Sequence, residues 1–139
     1  MNDDSVNASP ANVKKRTNQR VVLRTNKKSD KKVSLLIGNG SGHEPIAMGF
    51  VGKGLLDANV VGDVFAAPTS DLILEGIKEA YSTAGSILLI SRHEGDVING
   101  RAACLDAQEE GMDVRPFLMY DDISSAPKGQ EEDRRGAAG

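Results

Sequence analysis

Short, almost continuous apolar runs alternate with helix-like stretches along most of this 139-residue chain. The apolar runs cover residues 33–37, 59–66 and 86–90, as expected of strands that are covered on both faces. Helical patterning fills residues 70–83 and 97–110. Strands that alternate with helices of this length predict an α/β fold, in a three-layer α/β/α arrangement with a mainly parallel sheet.

Two further strands complete the predicted sheet. Residues 19–25 form a short candidate strand before the first run, and residues 114–120 form another after the second helix. Pro116 interrupts the later one, which predicts that this strand starts late or lies at a sheet edge, where a missing N–H is tolerated. Thr69 or Ser70 can cap the start of the first helix.

Charge divides the chain into two parts. Residues 1–32 hold nine Lys and Arg against three Asp, whereas the remainder holds eight basic against seventeen acidic residues. Because residues 1–19 are also polar and without periodicity, we predict a disordered basic leader there and one domain over residues 20–139. The leader lacks the interleaved aromatic residues and the recognition motif of a nucleic-acid arm, so we expect no nucleic-acid partner.

The apolar residues are too scattered for a membrane span. No apolar run approaches the ~20 residues that cross a bilayer, and we expect neither a membrane partner nor a secretory signal. The single cysteine, Cys104, cannot form an internal disulfide, which fits a cytoplasmic location. Since it lies among alanines in a predicted helix, we expect its thiol in the core.

The order of the elements predicts where a ligand would bind. Loops that leave the carboxyl ends of parallel strands meet along one edge of the sheet, which is where ligands bind in such folds. The loops after the predicted strands contain GNGSGHEP, AAPTSD, SRHEGD and YDDISS. Both histidines of the chain, His43 and His93, lie in these loops, so we expect them at the same edge.

The GNGSGHEP loop has two interpretations from spacing alone. Gly38, Gly40 and Gly42 permit positive φ and close backbone approach, so their amides could face a phosphate or a polar ligand. The pattern lacks the last glycine of a dinucleotide-binding loop and the GK[ST] of a nucleotide-phosphate loop. A tight strand-to-helix turn with Pro45 at the first helical position explains the same residues.

His43 is the strongest candidate for catalysis. An imidazole, with an unperturbed pKa of ~6.5, can take a proton from an alcohol near neutral pH. Glu44 can either orient this imidazole or cap a following helix. Asp96 can cap the second helix, accept a hydrogen bond from a ligand hydroxyl, or do both. His93 has no distinctive neighbours, and we expect it to line a ligand at most.

Three other carboxylates have weaker claims on function. Asp63 lies in a predicted strand and can equally be a buried, hydrogen-bonded group. Asp121 and Asp122 resemble a metal-binding pair, but adjacent residues of a strand point to opposite faces, so we predict no metal site. The charged GQEEDRR and RRGAAG stretches are expected to be solvated, with phosphate binding as a weaker interpretation.

Five motifs together resemble one protein family. They are, in this order and at these spacings, GNGSGHEP, GFVGKGLLDANVVGDVFAAPTSD, LLISRHEGDVIN, YDDISSAPKG and RRGAAG. Over residues 20–139 the chain resembles the amino-terminal, substrate-binding half of the dihydroxyacetone kinase K-subunit family. This resemblance implies phosphorylation of dihydroxyacetone (glycerone) or of a similar short ketose such as erythrulose.

The resemblance also implies a set of site residues. In the family, the glycine loop and its histidine contact the substrate, and an aspartate of a later loop hydrogen-bonds a substrate hydroxyl. The implied substrate-binding residues are Gly40, Ser41, Gly42, His43, Ser91 and Asp96. Of these, His43 and Asp96 are implied to be catalytic, with His43 as the general base and Asp96 as its partner.

The sequence departs from the family pattern in three ways. Asn39 replaces the second of three glycines, a change that the tolerance of Asn for left-handed backbone makes benign. Ser91 stands where well-known members have a lysine. Family members continue after RRGxAG for roughly as long again, and that portion holds the histidine that bonds covalently to the substrate carbonyl.

Nucleotide chemistry is implied to belong to another subunit or domain. The family carries ATP or ADP with magnesium there, so we expect no cofactor on this chain. We expect a truncated substrate-binding part that is inactive alone, works with a nucleotide-binding kinase subunit, and belongs to a homodimer in the complete protein. The alternative is a non-catalytic, ketose-binding regulatory paralogue, which Ser91 and the missing half favour.

Overall fold

One six-stranded sheet organises the described part of the chain. The computed structural model describes residues 13–16, 20–26, 29–44 and 46–136. The strands are β1 (Val13–Arg16), β2 (Val21–Arg24), β3 (Ser34–Ser41), β4 (Ala58–Val64), β5 (Ser86–Ile90) and β6 (Val114–Leu118). Two α-helices, α1 (Ser70–Ala80) and α2 (Glu94–Glu109), and two 3-10 turns, Met48–Phe50 and Glu131–Asp133, complete the described elements.

The sheet is mixed, with a parallel centre. The strand order is β1-β2-β4-β3-β5-β6. Strand β3 pairs in parallel with β4 and β5, and β5 pairs in parallel with β6. Strand β2 pairs antiparallel with β1 and β4. The predicted α/β class and mainly parallel sheet are therefore confirmed, and β6, which contains Pro116, lies at the edge as predicted.

Both helices pack on one face of the sheet. Ile73 and Ile77 of α1 and Ala103 of α2 join a single buried cluster with strand residues such as Leu36 and Leu88. The opposite face, built on Val22, Ile37 and Met119, is covered in part by residues 46–56. In the described residues the expected helix layer on that face is replaced by this irregular segment, because three glycines within residues 49–54 disfavour a helix.

The amino-terminal segment differs from its prediction. Residues 13–16 form strand β1 and pair with β2, although disorder was expected over residues 1–19. An edge strand needs only backbone groups to pair, so the charged VKKR sequence can extend a sheet without an apolar pattern. The rest of the predicted leader, residues 1–12 and 17–19, lies outside the described residues.

Two element boundaries move relative to prediction. Strand β3 continues through Gly40 because glycine allows close backbone contact there: a Cβ atom on Gly40 would lie 2.8 Å from the Ala66 carbonyl oxygen. Helix α2 begins at Glu94, three residues earlier than predicted. Thr69 caps α1, as predicted, by accepting a hydrogen bond from the Leu72 amide. Neither α-helix has the length and apolar content to cross a membrane.

Candidate functional site

A cavity of about 280 Å³ lies at the carboxyl edge of the sheet, between the loops that follow β3, β4 and β5. We call it the edge cavity. Four of the six predicted site residues line it: Gly40, His43, Ser91 and Asp96. The structure thus brings His43 and Asp96 to one cavity, although they lie 53 positions apart in the sequence. Parallel strands produce this convergence because their carboxyl ends share one edge.

Asp96 is buried in the wall of the edge cavity. Its exposed fraction is 8%, and its Oδ1 atom has no hydrogen-bond partner. Burial raises the pKa of the Asp96 carboxyl, while the charges of His93 and, to a smaller extent, His43 oppose that rise. Buried polar atoms rarely lack a partner, so the free Oδ1 acceptor is a candidate contact for a ligand hydroxyl.

Helix capping does not explain Asp96. The residue before the first turn of α2 is His93, and Asp96 lies within that first turn. The His93 side chain makes no capping hydrogen bond either. The predicted N-cap role is therefore wrong, because α2 starts three residues earlier than its apolar pattern indicates. A negative charge in a first helical turn is still favourable for the helix dipole.

His43 is exposed at the mouth of the cavity and contacts Phe65 edge to face, with ring centroids 5.3 Å apart. Phe65 lines the same cavity, is 72% exposed and has a φ of 53°, which is unusual for a bulky residue. The sequence analysis missed Phe65. Phe65 directly precedes AAPTSD and follows the end of β4 at Val64. That position at the carboxyl end of a parallel strand could have indicated that it lies near the ligand site.

Ser41 and Gly42 do not line the edge cavity. The Gly42 amide instead donates to both carboxylate oxygens of Glu44, at 3.1 and 2.9 Å. The pKa of Glu44 is lowered by its own backbone amide and by that of Gly42, with a smaller effect from the charge of His43. Glu44 therefore stabilises the turn of the GNGSGHEP loop through the Gly42 amide. Neither predicted role, orienting the His43 imidazole or capping a helix, is needed to explain this carboxylate.

The Asn39 side chain links the start of the GNGSGHEP loop to the residue that follows the loop. Its side-chain amide donates to the Ile46 carbonyl at 3.3 Å, and the residue is 5% exposed. It lies within β3, and Phe65 is the non-glycine residue with positive φ among the described residues. The tolerance of Asn for left-handed backbone is thus not what makes this substitution compatible with the fold.

The remaining candidates lie elsewhere. Asp63 is exposed and forms an ion pair with Arg20 at 2.6 Å. Hydrogen bonds from the side chain and backbone of Ser124 lower the pKa of Asp122. Cys104 is buried, as predicted, and burial raises the pKa of its thiol to about 11. Within the described ranges, no group of three or more His, Cys, Asp or Glu side chains could hold a metal ion.

The RRGAAG stretch is attached to the carboxyl edge. The Arg92 amide donates to the Gly136 carbonyl at 3.2 Å, and its guanidinium donates to the Arg134 carbonyl at 3.0 Å. The same guanidinium lies 4.9 Å from the centre of the Tyr120 ring. The expectation of a solvated end is therefore wrong for Gly136, which is buried, and in part for Arg134, whereas Arg135 is exposed as expected. Residues 137–139 lie outside the described part.

Comparison with known proteins assigns the family. The profile of the Dak1 domain matches residues 4–139. The chain belongs to the Dak1 domain family. The predicted family is thereby confirmed.

Relatives of this Dak1 chain include dihydroxyacetone kinase subunits and an operon coactivator. It is 43% identical over 120 residues to the Listeria innocua PTS-dependent dihydroxyacetone kinase 1, dihydroxyacetone-binding subunit DhaK, covering 86% of this chain and 36% of the relative. It is 38% identical to the Lactococcus lactis DhaKLM operon coactivator DhaQ, covering 85% of this chain and 36% of that protein. The chain thus spans about a third of the length of these relatives.

A solved structure supports the same fold. The dihydroxyacetone kinase from C. freundii, in complex with AMP-PNP and Mg²⁺, superimposes with a TM-score of 0.84 and 33% sequence identity. The match covers 98% of this chain and 26% of that chain. A nucleotide with magnesium does not fit the edge cavity here, because the described residues that line it include no lysine or arginine and only one carboxylate.

Proposed function

We propose that this chain is the substrate-binding part of a dihydroxyacetone (glycerone) kinase that phosphorylates dihydroxyacetone or a similar short ketose. One observation carries the proposal: His43 and the buried, partnerless carboxylate oxygen of Asp96 belong to the same small cavity. A volume of about 280 Å³ lies just below the ~300–1,000 Å³ of pockets for drug-sized ligands, which suits a three- or four-carbon polyol.

The two groups can divide the work of phosphoryl transfer. Asp96 accepts a hydrogen bond from a ketose hydroxyl and fixes its position. His43 takes the hydroxyl proton as the oxygen forms its bond to phosphorus and the bond between phosphorus and the donor oxygen breaks; the donor leaves with that electron pair. Phosphoryl transfer depends mainly on such positioning and on charge stabilisation.

The walls of the cavity favour a small ligand. Gly40 and Ser91 leave room for polar contacts, whereas Ile46 and the Phe65 ring form apolar surfaces. The Ser41 and Gly42 positions, implied by the family resemblance, act indirectly in this proposal, because the Gly42 amide is used by Glu44. Dihydroxyacetone, with three carbons, and erythrulose, with four, are both small enough for a cavity of about 280 Å³.

The donor is supplied by another subunit or domain. A nucleotide-binding kinase subunit carrying ATP or ADP with magnesium, or another phosphoryl donor of the same system, would complete the reaction, so this chain is inactive alone. The complete protein is a cytoplasmic homodimer in this proposal. The nucleotide and magnesium in the C. freundii relative support the use of such a donor.

A regulatory function is the second candidate. Ser91 lines the cavity where the family resemblance leads us to expect a lysine, and the chain is 38% identical to a Lactococcus lactis coactivator. A protein of this kind would bind the ketose without phosphorylating it. Binding and turnover therefore have to be measured separately.

Calorimetric titration with dihydroxyacetone tests the binding step. We expect saturable binding by the chain, loss of binding in His43→Ala and Asp96→Asn, and unchanged binding in Asp63→Asn, which removes an exposed carboxylate that does not line the cavity. Absence of binding to dihydroxyacetone and erythrulose would overturn the proposal.

A turnover assay tests the kinase step. The chain would be completed with the carboxyl-terminal portion of the Listeria relative and a nucleotide-binding subunit. Ketose phosphate formation that depends on His43 supports the kinase function. Binding without phosphate formation would favour the regulatory candidate.

A further inference from the structure

His93 lies between the edge cavity and a second depression. This depression has a volume of about 520 Å³, and its lining includes three arginines, Arg92, Arg101 and Arg135. We call it the arginine groove. His93 lines both the groove and the edge cavity. The imidazole can therefore contact a ligand in either depression.

The backbone fixes His93 while its side chain remains available. The His93 amide donates to the Ser91 carbonyl at 2.7 Å, and its carbonyl accepts from the Val97 amide at 2.9 Å. The imidazole is exposed and makes no capping hydrogen bond. Because its backbone is held and its side chain is exposed without a capping hydrogen bond, this imidazole can contact a ligand at the mouth of the cavity.

Positive charge is scarce inside the edge cavity. Among the residues that the structure describes, its ionisable lining groups are His43, His93 and Asp96, without a lysine or an arginine. A transferred phosphoryl group carries negative charge that must be stabilised as it enters. If His43 is to accept a proton it must be neutral, which leaves His93 as the cavity group that can provide a cation.

We propose that His93, as an imidazolium, binds the phosphoryl group at the mouth of the edge cavity, so that the ligand held there is a phosphorylated short ketose. This inference rests on the proposed function. It gives His93 a direct role that the sequence analysis did not assign. The positive charge that well-known family members carry on a lysine at the Ser91 position would here lie two residues later, on His93.

Charged groups on both sides of His93 define its surroundings. On the cavity side they are His43 and Asp96. On the groove side they are Arg92, Glu94, Arg101, Asp133 and Arg135. The carboxylates favour the imidazolium and the guanidinium groups oppose it. Three guanidinium groups outnumber the two groove carboxylates, so the approach to the cavity is attractive to a phosphate.

The proposal predicts a distinctive pH dependence. A phosphate monoester becomes a dianion above about pH 6. Imidazoles in general lose their proton as the pH rises past ~6.5. Affinity for dihydroxyacetone phosphate should therefore be greater at pH 6.5 than at pH 8.5, whereas affinity for uncharged dihydroxyacetone should lack this alkaline decline.

Calorimetric titration of the chain with dihydroxyacetone phosphate and with dihydroxyacetone tests the assignment. At pH 6.5, His93→Gln should weaken binding of the phosphate by about tenfold, as expected for a lost charge-assisted hydrogen bond, and binding of dihydroxyacetone by less than about threefold. His93→Lys should retain phosphate binding and keep it at pH 8.5. Arg115→Gln, which removes an exposed cation from the opposite end of β6, is the matched control and should change neither affinity.

The outcomes separate this inference from the proposed function. If the unmodified chain binds neither compound, the proposed function fails. If it binds dihydroxyacetone but not its phosphate, or if His93→Gln weakens both compounds equally or neither, the ketose site stands and the role of His93 is overturned. The role of His93 is supported if His93→Gln weakens the binding of dihydroxyacetone phosphate selectively and His93→Lys retains that binding at pH 8.5.

Discussion

Two buried aspartates, Asp57 just before β4 and Asp96 in the first turn of α2, are used in opposite ways. Asp57, which is 4% exposed, accepts a hydrogen bond from Arg24 at 3.0 Å and another from the Leu35 amide at 2.9 Å. Asp96, which is 8% exposed, has an Oδ1 atom without any partner. The first carboxylate has its oxygens occupied by the protein, whereas the second retains an acceptor beside a cavity.

The difference separates a stabilising region from the proposed binding region. The bonds of Asp57 join β2 to β3, so its buried charge is compensated within the fold. The Oδ1 atom of Asp96 has no hydrogen-bond donor in the protein, although the charges of His93 and His43 favour the ionised carboxylate. Phe65, with its unfavourable backbone conformation, lines the same cavity. Uncompensated charge and local strain often accumulate at functional sites, where a ligand supplies the missing contacts.

The largest expected effect is on stability, from Asp57→Ala. Removing this carboxylate leaves the Arg24 guanidinium, which is 12% exposed, without its charged partner. We expect a loss of about 3 kcal/mol in the free energy of unfolding, measured by urea denaturation. Asp63→Ala, which breaks the exposed ion pair with Arg20, should cost less than about 1 kcal/mol. Equal losses of unfolding free energy in Asp57→Ala and Asp63→Ala would show that the buried Asp57 does not stabilise the fold more than an exposed ion pair does.

Asp96→Asn should affect binding more than stability. The variant keeps the shape of the side chain but removes the negative charge that receives a ketose hydroxyl. We expect at least a roughly tenfold weaker affinity for dihydroxyacetone, with a free energy of unfolding within about 1 kcal/mol of the original. A stability loss as large as that of Asp57→Ala, with unchanged affinity, would show that Asp96 is structural.

Phe65→Asn should raise stability while weakening binding. Asn tolerates a positive φ better than Phe, so we expect a gain of about 1 kcal/mol in the free energy of unfolding. Loss of the edge contact to His43 should weaken dihydroxyacetone binding by about threefold. Phe117→Asn is the control, because Phe117 is similarly exposed but lies in β6 without positive φ, and no gain is expected there.

The smallest expected effect is a pH-dependent difference in stability. Because burial raises the pKa of folded Asp96, its share of the stability is greatest below the ordinary pKa of ~3.9 and is lost as the pH rises through the raised value. Asp96→Asn lacks this titration. Its stability relative to the original chain should therefore be higher at pH 7 than at pH 3, as measured by thermal unfolding; the reverse order would contradict the assignment.

Much of the fold could be predicted from local patterns. The apolar runs that became β3, β4 and β5 end in loops at one edge, so the meeting of His43 and Asp96 follows from parallel topology. The Thr69 cap and the burial of Cys104 could also be predicted, because residues close to each of them in the sequence indicate the role.

Other features depend on contacts that local patterns do not encode. The early start of α2 and the partnerless Asp96 oxygen follow from how this helix meets β5 and the cavity. The bonds of Asp57 join residues 22 and 33 positions apart, and the sequence analysis did not consider that carboxylate. The placement of both α-helices on one face required the tertiary structure.

Backbone amide shifts in an NMR titration with dihydroxyacetone would test the central claim most directly. If His43 and Asp96 form one ketose site, the amides of Gly40, His43 and Asp96 should shift together with a single saturation curve, while those of Asp57 and Leu35 remain in place. Shifts confined to a different surface, or separate curves for His43 and Asp96, would contradict it.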